Sequence, residues 1–150
     1  MNIAIGADHR GFVLKNGIKN SLTDMSGNKQ ISWLDVGCFS DVYCDYPIAA
    51  KHVVDAIRKG QADLGVLLCG TGVGMSIAAN RFARIYAALV WTEELARMSR
   101  EHDNANIIVL PADYLTLEQS SDMIRAWLTA TFQGGRHQHR IDEIDLFGRM

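Results

Sequence analysis

Five short, continuous apolar runs, separated by longer amphipathic stretches, most limit what this chain can fold into. The runs are Asn2–Ala7, Ile31–Gly37, Leu64–Gly70, Ile85–Trp91 and Ala105–Leu110. Most are apolar throughout rather than alternating, the pattern of strands buried on both faces. Helical periodicity fills the segments between them: about Gly11–Met25, Pro47–Lys59, Val73–Phe82 and Thr92–Glu101, then Leu117–Thr131 and a helical tail near Arg136–Ile144. Strand and helix in alternation predict an α/β fold, a five-stranded parallel sheet covered by helices on both faces through right-handed crossovers. With 150 residues, no linker and no repeat, the expectation is one domain over residues 1–150.

Several function classes are disfavoured at this level. The net charge of −2 gives no global attraction to nucleic acid or an anionic membrane. No apolar stretch approaches the roughly 18 residues that span a bilayer. The N-terminal "MNIAIGADHR" lacks the basic start and cleavage site of a signal peptide. The cysteines are Cys38, Cys44 and Cys69. Their odd number and spacing argue against a disulfide scaffold and a zinc site, so the expected setting is a reducing cytoplasm, with Cys38 and Cys44 structural or incidental.

In parallel sheets, ligands bind beyond the carboxyl ends of the strands. Two such ends are chemically loaded here: Asp8-His9 after the first strand and "CGTGVG" at Cys69–Gly74 after the third. The glycine loop fits neither nucleotide motif. It lacks the Gly-Lys-Ser/Thr of a Walker loop, and its glycine spacing misses G-x-G-x-x-G. Glycines between a strand and a helix start still let amides converge on an anion, and the same setting can lower the pKa of a cysteine such as Cys69. The bland alternative for Cys69 is a small buried core residue. For Asp8 and His9 it is capping of the next helix, and for His102 it is a surface histidine. Arg136 and Arg140 are four apart and would share one helix face, suited to a phosphate or carboxylate, or else paired with Asp142 and Glu143.

Together "GADHRGF", "DYP" at Asp45–Pro47, "CGTGVGMSIAANR" at Cys69–Arg81, "REHDNANI" at Arg100–Ile107 and "GGRHQHR" at Gly134–Arg140 resemble the ribose-5-phosphate isomerase B family. That family also holds galactose-6-phosphate and allose-6-phosphate isomerases. The resemblance implies a Rossmann-like three-layer sandwich without a nucleotide and a C-terminal helical arm packed on a partner subunit. It also implies a homodimer or tetramer with the active site at the dimer interface. The implied reaction is aldose–ketose isomerisation of a sugar phosphate through an enediolate, with no metal or organic cofactor. Cys69 would be the base, and His102 and Asp8 would open the sugar ring with help from Thr71. The amides of Gly70, Gly72, Val73 and Gly74 would hold the enediolate oxygens, and Tyr46 would line the pocket. His9, Arg136 and Arg140 would grip the phosphate. Part of the family places a glutamate where Met75 stands here, which leaves the base role to Cys69.

Two positions depart from the family pattern. Asp103 replaces an asparagine in the substrate pocket, and Asp113 replaces an arginine that helps hold phosphate. Both make the site less basic, which would mean weaker phosphate binding, a different sugar phosphate, or compensation by a residue such as Arg10. The rival readings are a non-catalytic sugar-phosphate-binding protein on the same scaffold and a thiol redox enzyme in which Cys38 approaches Cys69.

Overall fold

The computed structural model describes residues 1–25 and 29–147. In chain order the elements are β1 (Asn2–Ala7), α1 (Phe12–Ser21), β2 (Asp24–Met25), β3 (Lys29–Gln30), β4 (Ser32–Asp35), α2 (Tyr46–Arg58), β5 (Leu64–Cys69), α3 (Val73–Ala79), β6 (Ala87–Leu89), α4 (Glu93–Asp103), β7 (Ile107–Pro111), α5 (Leu117–Thr129) and α6 (Arg136–Phe147). The five principal strands form one parallel sheet in the order β4-β1-β5-β7-β6.

The apolar runs become strands because both faces of the sheet are covered. One face packs Ile3, Ile5, Val66, Leu68 and Ile108 against Ile18 of α1, Ala96 of α4 and Met123, Ile124 and Trp127 of α5. The other packs Ala4, Leu67, Ile107 and Val109 against Val53 and Val54 of α2 and Met75 of α3. Met75 is fully buried in this second layer. Local chemistry sets the helix starts. Thr116 and Gln119 form a capping box on α5, and the Thr92 hydroxyl accepts the Leu95 amide at the start of α4.

Two expectations fail. The first helix ends at Ser21 rather than Met25, because Asp24 and Met25 pair antiparallel with Gln30 and Lys29 in a small separate sheet. Cys38 and Cys44, read from the sequence as structural or incidental in a chain without a disulfide scaffold, are joined as a disulfide. The odd count left one cysteine over, and that one, Cys69, is the free thiol. With Cys38 engaged, the redox alternative loses its resolving thiol. No described helix is long and apolar enough to cross a membrane.

The Lys15 side chain is fully buried beneath the carboxyl edge of the sheet. It donates to Asp35 at 2.7 Å and to the Cys38 carbonyl at 2.5 Å, and Lys19 also pairs with Asp35. Burial outweighs these contacts and pulls the Lys15 ammonium below its ordinary pKa. Burial pushes the Asp35 carboxyl up, but hydrogen bonds from Lys15, Lys19 and the Gly37 amide win and hold it below the usual carboxylate value.

Candidate active site

Parallel register sets Ala7 opposite Leu68 and Cys69 opposite Pro111, so the segments after β1, β5 and β7 open at one edge. From β1 the chain crosses to β4 on one side, and β5 then takes the other side. The crevice between β1 and β5 is therefore a topological switch point, where open α/β sheets leave room for ligands.

Cys69 ends β5 and is 5% exposed. Its sulfur accepts the Gly72 amide at 3.2 Å. Gly72 takes φ 76°, and a side chain there would run into Leu89, so glycine is what lets the loop turn its amide onto the sulfur. The thiol pKa is not lowered as expected. Burial pushes it up, the amides of Met75, Gly72 and Thr71 pull it down, and the Asp8 carboxylate adds to the rise. Exclusion of water outweighs the dipoles of a seven-residue helix. Several loop amides thus face the sulfur, where the sequence suggested they would face substrate oxygens. Thr71 is exposed at the mouth, and its hydroxyl accepts the Val73 amide at 3.4 Å.

Asp8 is buried, and one carboxylate oxygen accepts the Arg10 and Gly11 amides at 2.9 and 3.0 Å. It therefore caps the turn into α1 while its charge reaches Cys69. His9 Nδ1 lies 3.4 Å from the Cys44 carbonyl, beside the disulfide, and its ring sits 5.1 Å from that of Tyr43. Tyr46 opens α2, and its ring lies against Gly74, where a Cβ would come within 2.7 Å of it. Arg10 lies over Gly70 and pairs with Asp113. The sequence suggested Arg10 only as a compensating residue.

The other candidates lie elsewhere. α4 leaves the carboxyl end of β6 and returns to the amino end of β7, so its last turn stands at the amino edge of the sheet. At about 3.3 Å per strand residue, the two edges are roughly 15–20 Å apart. His102 and Asp103 occupy that last turn. The Gln133 amide donates to the Glu101 carbonyl, and the Tyr86 hydroxyl donates to Asp145, which lays α6 along the same edge. The His102 and His137 rings stack at 4.4 Å between centroids. Burial and the nearby His102, Arg136 and Arg140 push the His137 pKa down. Arg136 and Arg140 are exposed on α6, and among the described residues neither forms an ion pair, so the expected alternative with Asp142 and Glu143 is not realised. One chain therefore gathers Asp8, His9, Tyr46, Cys69, Thr71 and the glycines at the carboxyl edge, and His102, Asp103, Arg136 and Arg140 at the amino edge. No three His, Cys, Asp or Glu side chains cluster as a metal site among the described residues.

Known proteins share both sequence and fold with this chain. The sequence model of the Ribose/Galactose Isomerase family matches residues 3–144. Ribose-5-phosphate isomerase B of Escherichia coli is 40% identical over 142 residues, which cover 95% of this chain and 93% of that protein. The structure of ribose-5-phosphate isomerase B from Clostridium thermocellum superimposes with a TM-score of 0.92 at 39% identity, covering 99% of this chain and 98% of that one. The Mycoplasma genitalium enzyme, solved with bound ribulose-5-phosphate, gives a TM-score of 0.88 at 39% identity, covering 99% and 96%.

Proposed function

The chain belongs to the Ribose/Galactose Isomerase family and is an isomerase, and from that premise we propose that it interconverts ribose 5-phosphate and ribulose 5-phosphate through an enediolate, with Cys69 as the base. The observation that carries this assignment is the single free thiol, enclosed at the switch point with loop amides turned onto its sulfur. Those amides favour the thiolate against the burial that opposes it.

In this mechanism the thiolate takes the proton from C2 of the open-chain aldose and returns it to C1. The hydroxyl proton passes from O2 to O1 by way of Thr71. The Gly70, Val73 and Gly74 amides stabilise the charge that develops on these oxygens, usually the largest single contribution in such chemistry. Met75 takes no part, because it is buried in the core. Asp8 and His102 open the furanose ring, and His9, Arg136 and Arg140 bind the phosphate.

These roles need both edges of the sheet, which one chain holds apart. The working unit we propose is a homodimer, related by a two-fold axis, in which each carboxyl edge receives His102, Asp103, Arg136 and Arg140 from the partner. Val73 and Ile77, both exposed on α3 beside the thiol loop, give that contact an apolar start.

The test is a panel of pentose and hexose phosphates followed for aldose–ketose conversion, beside Cys69→Ala. Turnover of ribose 5-phosphate above the others is expected. Turnover of a different sugar phosphate alone would overturn the substrate, and none at all would favour a binding protein on this scaffold. Deuterium from solvent entering the product at C1, by exchange on the thiol before the proton is returned, would support transfer through an enediolate over hydride shift.

A further inference from the structure

We infer that Arg10, held by Asp113, is a substrate-binding residue that grips the phosphate group at the carboxyl edge. The inference rests on the isomerase assignment above and adds a residue to it.

The guanidinium lies on the bare peptide of Gly70, the residue after Cys69. A Cβ at Gly70 would fall 2.7 Å from the guanidinium carbon and from Nε, and 2.9 Å from Nη1. Glycine is what allows this approach. An ordinary surface ion pair needs no such vacancy and contributes about 1 kcal/mol or less.

The position of the cation relative to the thiol is also fixed. The Ala112 amide donates to the Cys69 carbonyl at 2.8 Å, and the Asp113 amide donates to the Gly70 carbonyl at 3.0 Å. The segment bearing Asp113 is thus fastened to the segment bearing the thiol. The Asp113 carboxylate accepts from Nη2 of Arg10 and orients the fork. Nε and Nη1 have no acceptor among the described residues, and the side chain is 55% exposed. The guanidinium N–H groups left over are charged donors in one plane, suited to the oxygens of a phosphomonoester.

Charge balance points the same way. Asp8, Asp45 and Asp113 stand at this edge, and the lysine nearest to it, Lys15, is buried and engaged with Asp35 and the Cys38 carbonyl. Arg10 is the permanent cation with donors to spare among the described residues there. Within a single chain, a phosphate dianion would without it meet a largely acidic rim.

The test titrates inorganic phosphate and ribose 5-phosphate into the full chain and into Arg10→Gln and Arg10→Lys, with steady-state kinetics alongside. Arg10→Gln should weaken both affinities about tenfold or more and raise KM in proportion, with kcat within about threefold. Arg10→Lys should fall between, since it keeps the charge and loses the fork. Equal phosphate and sugar-phosphate affinities in Arg10→Gln and the unmodified chain, at equal melting temperature, would overturn the inference and leave the isomerase assignment standing. If the unmodified chain turns over no sugar phosphate, that assignment falls, and the phosphate titration still decides for or against Arg10. If the unmodified chain binds neither inorganic phosphate nor ribose 5-phosphate, the inference about Arg10 falls.

Discussion

At the carboxyl edge of the sheet the reactive groups are enclosed and held from several sides. Cys69 is buried, Asp8 is tied to two amides, and Lys15 lies in the core beneath. At the amino edge Arg136 and Arg140 are exposed, and the rings of His102 and His137 stack beside them. In the function proposed above, the first edge controls a proton and the second attracts an anion.

The largest test of this contrast is Cys69→Ala, which should lower kcat about 10³-fold, with ligand affinity nearly unchanged by calorimetry. A residual rate near the parent value would move the base elsewhere. Next is complementation. Cys69→Ala and Arg140→Ala, each inactive alone, should regain roughly a quarter of the parent activity when unfolded and refolded together, because half the dimers are mixed and each has one intact site. No recovery would refute a site shared between two chains.

A third test concerns stability. Asp35→Asn leaves the Lys15 ammonium buried without its carboxylate and should cost about 3 kcal/mol in denaturant unfolding. Arg136→Ala at the amino edge should change stability by less than about 0.5 kcal/mol. Equal losses would erase the distinction between the edges. The last test is pH. With the thiolate as the working form, as proposed, and burial holding the thiol above its ordinary pKa, kcat/KM should rise with pH through neutrality, approaching about tenfold per unit below that pKa. The thiolate absorbance lost in Cys69→Ala should titrate over the same range, and titration below the ordinary cysteine value would refute the raised pKa.

Much of the fold was legible because strands buried on both faces leave continuous apolar runs, as in Leu64–Cys69, where every residue is buried. The placing of Asp8 and Cys69 at one edge followed from parallel connectivity alone. What stayed hidden depended on contacts between distant residues. Periodicity carried α1 on to Met25, but pairing across to Gln30 ended it sooner. Counting cysteines could not show that Cys38 and Cys44 would meet. The raised pKa of Cys69 depends on how much water the whole fold excludes, which no local motif encodes. The acidic Asp113 read as a loss of phosphate binding, and its partnership with Arg10 spans 103 residues of sequence.

The return of α4 to the far edge has a consequence for inheritance. If each site borrows its cations from a neighbour, a copy spoiled only at the thiol still serves its partner fully. A mixed population then loses activity in simple proportion to the spoiled copies, and such a lesion is not dominant. A copy that fails to fold lends nothing, but it also occupies no partner. Damage is shared out site by site rather than spread through the assembly.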